Sequence, residues 1–205
     1  MFENRYNLPI FDMMLTDESV GVYTVSLVDD PAMEVNWFAF SEDDVRPLEV
    51  KMADIVDDME RKVMVVICRA DFPIIRRGDD GKYFYVQFPK ETIKLMSQRF
   101  LKNGFQGLVN LMHEEDTYVD GVEMEQLFIK DVKSGIDPQQ FKDIEDGSLF
   151  AIYKIENDEI WKDIMDGKYT SVSLEGLFKP VPHVEEVEDK DKELNTLDEL
   201  VDYLR

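Results

Sequence analysis

Lys82-Tyr83-Phe84-Tyr85-Val86-Gln87-Phe88 runs directly into Pro89-Lys90-Glu91-Thr92-Ile93-Lys94-Leu95-Met96-Ser97-Gln98-Arg99-Phe100-Leu101. The change of period between the two stretches decides the fold class. The first is aromatic and β-branched over a strand's length. The second opens with proline at the first helical position, where no N–H is needed, and then sets Ile93, Met96, Phe100 and Leu101 at helical spacing. A chain in which such strands dominate and such helices interrupt is α+β.

Working outward, further strand-length runs occupy 20–28, 35–40, 61–68, 108–112, 122–130, 149–155 and 169–178. A second helix is expected from Asn157 as N-cap, burying Ile160, Trp161, Ile164 and Met165 and stopping at Gly167. Asp79-Asp80-Gly81 reads as a hairpin turn that pairs the Val63 run with the Tyr83 run. Without regular strand–helix alternation, the expected architecture is a mainly antiparallel β-barrel or strongly bent sheet with peripheral helices.

At 205 residues the chain suits one domain with a sizeable core. That domain is expected to span 1–180, because Pro180-Val181-Pro182 stiffens the chain and Glu185-Glu186-Val187-Glu188-Asp189 is too charged to bury. Residues 181–205 then form an acidic linker and a short helix, with Thr196 and Glu199 as a capping box and Leu197, Leu200, Val201 and Leu204 on one face.

The formal net charge of −22 argues against direct nucleic-acid binding, which needs clustered lysine and arginine. No apolar run approaches the length of a membrane span, so no membrane partner is expected and the protein should be soluble and unexported. The single cysteine, Cys68, lies in an apolar run and is expected to pack as a small hydrophobe.

Histidine narrows the chemistry most, because the chain has only His113 and His183. With one cysteine besides, a multi-histidine or Cys/His zinc site cannot be assembled. Glu114, Glu115 and Asp116 lack the spaced alternation and turn glycine of a calcium loop. Neither a phosphate loop nor a dinucleotide fingerprint is present, so neither a metal nor a cofactor is expected. The Gly-x-Ser-x-Gly elbow is also missing, but a serine and a histidine on neighbouring strands can meet the same requirement. In Thr170-Ser171-Val172-Ser173-Leu174-Glu175-Gly176, strand parity puts Ser171, Ser173 and Glu175 on one face. Composition by itself favours an ordinary half-exposed strand whose serines face water, with His113 merely ending a strand.

Several segments, in order, resemble one family. They are Val25-Ser26-Leu27-Val28-Asp29-Asp30-Pro31-Ala32, Phe72-Pro73-Ile74-Ile75-Arg76, Tyr83-Phe84-Tyr85-Val86-Gln87-Phe88 with Lys90-Glu91-Thr92-Ile93, Asn110-Leu111-Met112-His113, and Ser171-Val172-Ser173-Leu174-Glu175-Gly176. Over most of its length the chain is similar to the XkdF-like phage serine proteases, relatives of the prohead proteases with the herpesvirus assemblin-like fold. It differs at Ser171, where related proteases often carry glycine.

The resemblance implies Ser173 as nucleophile and His113 as general base, within hydrogen-bond reach of each other. It implies an acidic residue in the 122–128 segment to orient the imidazole, assigned to Glu125, with Glu123, Asp116 and His183 as other candidates. Arg76 and Arg77 are the arginines to inspect as oxyanion donors, a surface ion pair being their ordinary role. The implied activity is a serine endopeptidase acting in the host cytoplasm, inside an assembling procapsid. Its substrates would be the scaffold and major capsid proteins, and the protease itself; a homo-oligomer is the assembly its herpesvirus relatives suggest. The alternatives are a catalytically inactive capsid-interior or scaffold-associated protein, and an acidic mimic of DNA.

Overall fold

Alternating apolar and polar positions give most segments one face for a core, and the strands they form pair into three small sheets rather than one. The computed structural model describes Asn4 and residues 7–16, 21–28, 53–78, 81–114 and 118–184. The elements run β1 (Ile10–Met14), β2 (Gly21–Val28), β3 (Ala53–Asp57), β4 (Lys62–Cys68), β5 (Ile74–Arg77), β6 (Tyr83–Gln87), α1 (Lys90–Asn103), β7 (Val109–Leu111), β8 (Val122–Ile129), β9 (Leu149–Ile155), α2 (Asp158–Met165), β10 (Ser171–Leu177) and β11 (Lys179–Pro182).

Strand orders are β11-β1-β6-β5, β10-β2-β7 and β3-β4-β9-β8. Most neighbours are antiparallel, with β1–β6 and β2–β7 parallel. The α+β class with a mainly antiparallel content therefore holds, but no closed barrel forms among the described residues. Counting strands carries no information about which edges meet, and both parallel pairs here join strands far apart in the chain.

The hairpin expectation needs a similar correction. The Tyr83 run pairs with β5, and the Val63 run pairs with β3 and β9. The β5–β6 turn closes through Gly78 N–H to Lys82 O at 2.8 Å and Gly81 N–H to Gly78 O at 2.9 Å. Gly81 stands at φ +80°, a conformation that suits glycine. Asp79 and Asp80 lie outside the described residues, as do the 35–40 run and everything from residue 185 on.

The expected boundary at residue 180 falls inside a strand. Pro180 and Pro182 pair with Met13 and Phe11 at the outer edge of the first sheet. His183 N–H donates to Ile10 O at 2.8 Å, so the alternate positions 180 and 182 aim their donor-less nitrogens away from β1. Proline is tolerated there because an edge strand needs donors on one side only, and the outer edge is left unfit for further pairing.

Helix α1 buries Thr92, Ile93, Met96, Ser97 and Phe100, and packs against β2 and β8. Leu101 was expected on that face but is 46% exposed, because the buried stripe runs through 93, 96, 97 and 100. Asn157 caps α2, its Oδ1 accepting from Glu159 N–H and Ile160 N–H at 3.0 and 3.1 Å. Ile160 is buried, Trp161 and Ile164 pack against the core, and Met165 is exposed, another departure from expectation. Cys68 is buried among β4 neighbours, and burial pushes its thiol pKa up, which leaves it inert.

Candidate functional site

The three-stranded sheet gathers residues that the sequence scatters. β2 lies at its centre, antiparallel to β10 and parallel to β7. The register sets Ser26 opposite Ser173 on one side and opposite Asn110 on the other. Val25, Leu27, Val109 and Val172 fill the apolar face and belong to the core. Thr24, Ser26, Asn110, Ser171, Ser173 and Glu175 share the opposite face by parity. That face is not the solvated one that a half-exposed strand would present. Ser171, Ser173, Thr24, Ser26 and Asn110 are all buried.

His113 reaches this layer from the turn after β7. Met112 and His113 both have positive φ, 51° and 61°. Two successive left-handed residues without glycine are uncommon, and each carries about 1 kcal/mol or more of backbone strain. The turn is held by Met112 N–H to Leu27 O at 3.0 Å and Glu114 N–H to Leu111 O at 2.9 Å. It sets the His113 ring at the rim of the polar layer, with 42% of the side chain exposed.

One carboxylate oxygen organises the site. Glu175 Oε1 accepts from Ser26 Oγ at 2.6 Å, from Asn110 Nδ2 at 2.9 Å and from His113 Nδ1 at 3.0 Å. An ionised carboxylate only accepts, so each of the three must donate. This assigns the Nδ1–H tautomer to His113 and leaves Nε2 with its lone pair whenever the ring is neutral. The approach of Ser26 Oγ to the same Nδ1, at 3.1 Å, is a lesser branch of that N–H. Burial would push the Glu175 carboxyl up, but the hydrogen bonds from Ser26, Asn110 and His113 outweigh it and hold its pKa below the usual value. The β2–β10 register slips between Glu175 and Gly176, an irregularity directly beside the carboxylate.

The residues expected to act together are only partly joined. Ser173 lies on the same sheet, 2% exposed and opposite Ser26, yet no hydrogen bond links it to His113. Glu125, the expected orienting acid, instead ion-pairs with Lys62 at 3.0 Å on the β3-β4-β9-β8 sheet. Glu123 is exposed on the same strand, β8, and Asp116 lies outside the described residues. His183 joins a separate cluster in which its Nδ1 lies 3.0 Å from Asp12 Oδ2 and Gln87 Nε2 donates to Asp12 Oδ1 at 2.8 Å. Arg76 and Arg77 lie on β5, in a different sheet from β7, the strand that leads into His113.

In the sequence Glu175 stands out only by its strand face and its place in the family-like segment 171–176, and Ser26 and Asn110 only as members of such segments. Strand parity could have singled out Glu175, two positions from Ser173 on the same face. Nothing in the local sequence could have paired either residue with Ser26 or Asn110. Among the described residues, no group of three or more His, Cys, Asp and Glu side chains could hold a metal ion, and no helix is long and apolar enough to cross a membrane. No protein-family model, curated protein or solved structure matches the chain.

Proposed function

We propose that this chain is a serine endopeptidase of the phage head-maturation type, with Ser173 as nucleophile, His113 as general base and Glu175 as the acid that orients the imidazole. The observation that carries the reading is the Glu175–His113 contact through Nδ1 at 3.0 Å, on the strand that also bears Ser173. The segments quoted around Ser26, His113 and Ser173 for the family resemblance are neighbours in one sheet. The same reading relates the mainly antiparallel α+β architecture to the assemblin-like proteases.

In the proposed reaction, His113 Nε2 takes the proton of Ser173 Oγ as that oxygen attacks the scissile carbonyl. The imidazolium is stabilised through Nδ1–H by the Glu175 carboxylate, and its proton then passes to the departing amine. Water repeats the sequence to release the acyl group. On this reading the Ser173–His113 contact closes when substrate binds, since catalytic contacts often tighten only in that complex. Substrates on this reading are scaffold and major capsid proteins, and the chain itself, inside the procapsid in the host cytoplasm.

One observation favours a second reading, an inactive capsid-interior or scaffold-associated protein: Ser173 is buried and has no hydrogen bond to His113. Co-expression with scaffold and capsid proteins separates the two. Cleavage by the parent that is lost in Ser173→Ala and in His113→Ala supports the peptidase. Equal processing by all three chains overturns it.

A further inference from the structure

We infer that Ser26 and Asn110 are positioning residues that lock Glu175 against His113. Only the catalytic consequence of this role rests on the peptidase reading; its geometry does not. Ser26 is 0% exposed and Asn110 1%, so water does not compete for either donor. Their backbones are register partners on adjacent strands, which holds both donors at fixed positions beneath the carboxylate. Glu175, by contrast, has three side-chain torsions and could swing away from an exposed imidazole. Two neutral donors at 2.6 and 2.9 Å remove that freedom and favour the ionised form without adding a competing charge.

The geometry also distinguishes Ser26 from a second nucleophile. Its hydroxyl proton is committed to Glu175, and the only imidazole nitrogen near it is Nδ1, which already carries a proton. The imidazole is therefore not placed to take its proton through Nδ1, and the hydroxyl serves to hold the carboxylate. Asn110 is oriented by the same constraint. With Nδ2 on the carboxylate, its Oδ1 faces a buried position where it has no partner. An unsatisfied buried acceptor is an expensive arrangement to keep, which places the value of Asn110 in its donor. An aspartate of the same shape would set a second anion against Glu175.

The test is nitrogen-15 NMR of the full chain with labelled histidine. Only two histidines are present, so a His183→Gln variant assigns both. The parent is expected to show His113 protonated at Nδ1. Ser26→Ala and Asn110→Leu should each move it toward the Nε2-protonated form and lower kcat about tenfold with KM unchanged. The parent tautomer retained in both folded variants overturns the proposal, and either variant alone suffices should the other not fold. The spectrum decides positioning even if the parent cleaves nothing, whereas full cleavage by Glu175→Gln would sink the peptidase triad by itself.

Discussion

Glu175 Oε1 lies 3.0 Å from His113 Nδ1 although 62 positions separate the two residues in the chain. The strand that carries Glu175, β10, and the strand that leads into His113, β7, do not pair with each other. Both flank β2, and Ser26 at its centre donates to the same oxygen. The contact therefore depends on two independent registers, one antiparallel and one parallel, and a one-residue slip in either would turn a whole set of side chains to the other face.

Glu175→Gln should lower kcat/KM by about 10³–10⁴-fold, because an amide in this place favours the wrong imidazole tautomer. Glu125→Gln should leave cleavage unchanged, since Glu125 serves Lys62. Steady-state cleavage of a purified scaffold substrate measures both. Comparable losses in the two variants would restore Glu125 as the orienting acid.

The lowered pKa of Glu175 has a consequence for stability. A carboxyl more acidic in the folded chain than in the unfolded one stabilises the fold above its unfolded pKa, about 4.3. That contribution is lost as pH falls through the folded pKa. Urea midpoints of the parent and Glu175→Gln should therefore differ by a constant amount above about pH 5 and converge in acid. A gap of the same size at every pH would mean that the carboxylate is not held in its ionised form.

Lys130 is 3% exposed, and its ammonium donates to Phe141 O, Lys142 O and Ile144 O at 3.0, 3.2 and 2.9 Å. It gathers the turn between β8 and β9. Lys130→Met keeps the aliphatic stem but strands three carbonyls and leaves Asp137, whose Oδ1 lies 3.2 Å from the ammonium, without its cation, and should destabilise the protein by roughly 3 kcal/mol in chemical denaturation. A change under about 0.5 kcal/mol would mean that water replaces the ammonium.

Ile93 is fully buried on α1 and Leu101 is half exposed. Ile93→Ala should cost about 2–5 kcal/mol, and Leu101→Ala about 0.5 kcal/mol or less. Equal losses in thermal or denaturant unfolding would contradict the face assigned to α1.

Much of the fold was legible along the chain. The strands at β2, β4, β6, β7, β8, β9 and β10 and both helices follow from local period, apolar content and caps such as Asn157, all properties of neighbouring residues. β1, β3, β5 and β11 were not legible. Ile10–Met14 is short and β11 carries two prolines, so their strand character comes from the partner each finds rather than from propensity.

The candidate site divides along the same line. Local sequence settles that Ser173 and Glu175 share a strand face and that His113 follows a strand, because side chains alternate with a period of two. Which carboxylate meets His113, and that Ser26 and Asn110 lie beneath it, is decided by β2 running between β7 and β10. Those pairings join residues as far apart as Gly21 and Leu177 through backbone hydrogen bonds, which every residue type accepts and all but proline donate, so side-chain identity leaves no local trace of them.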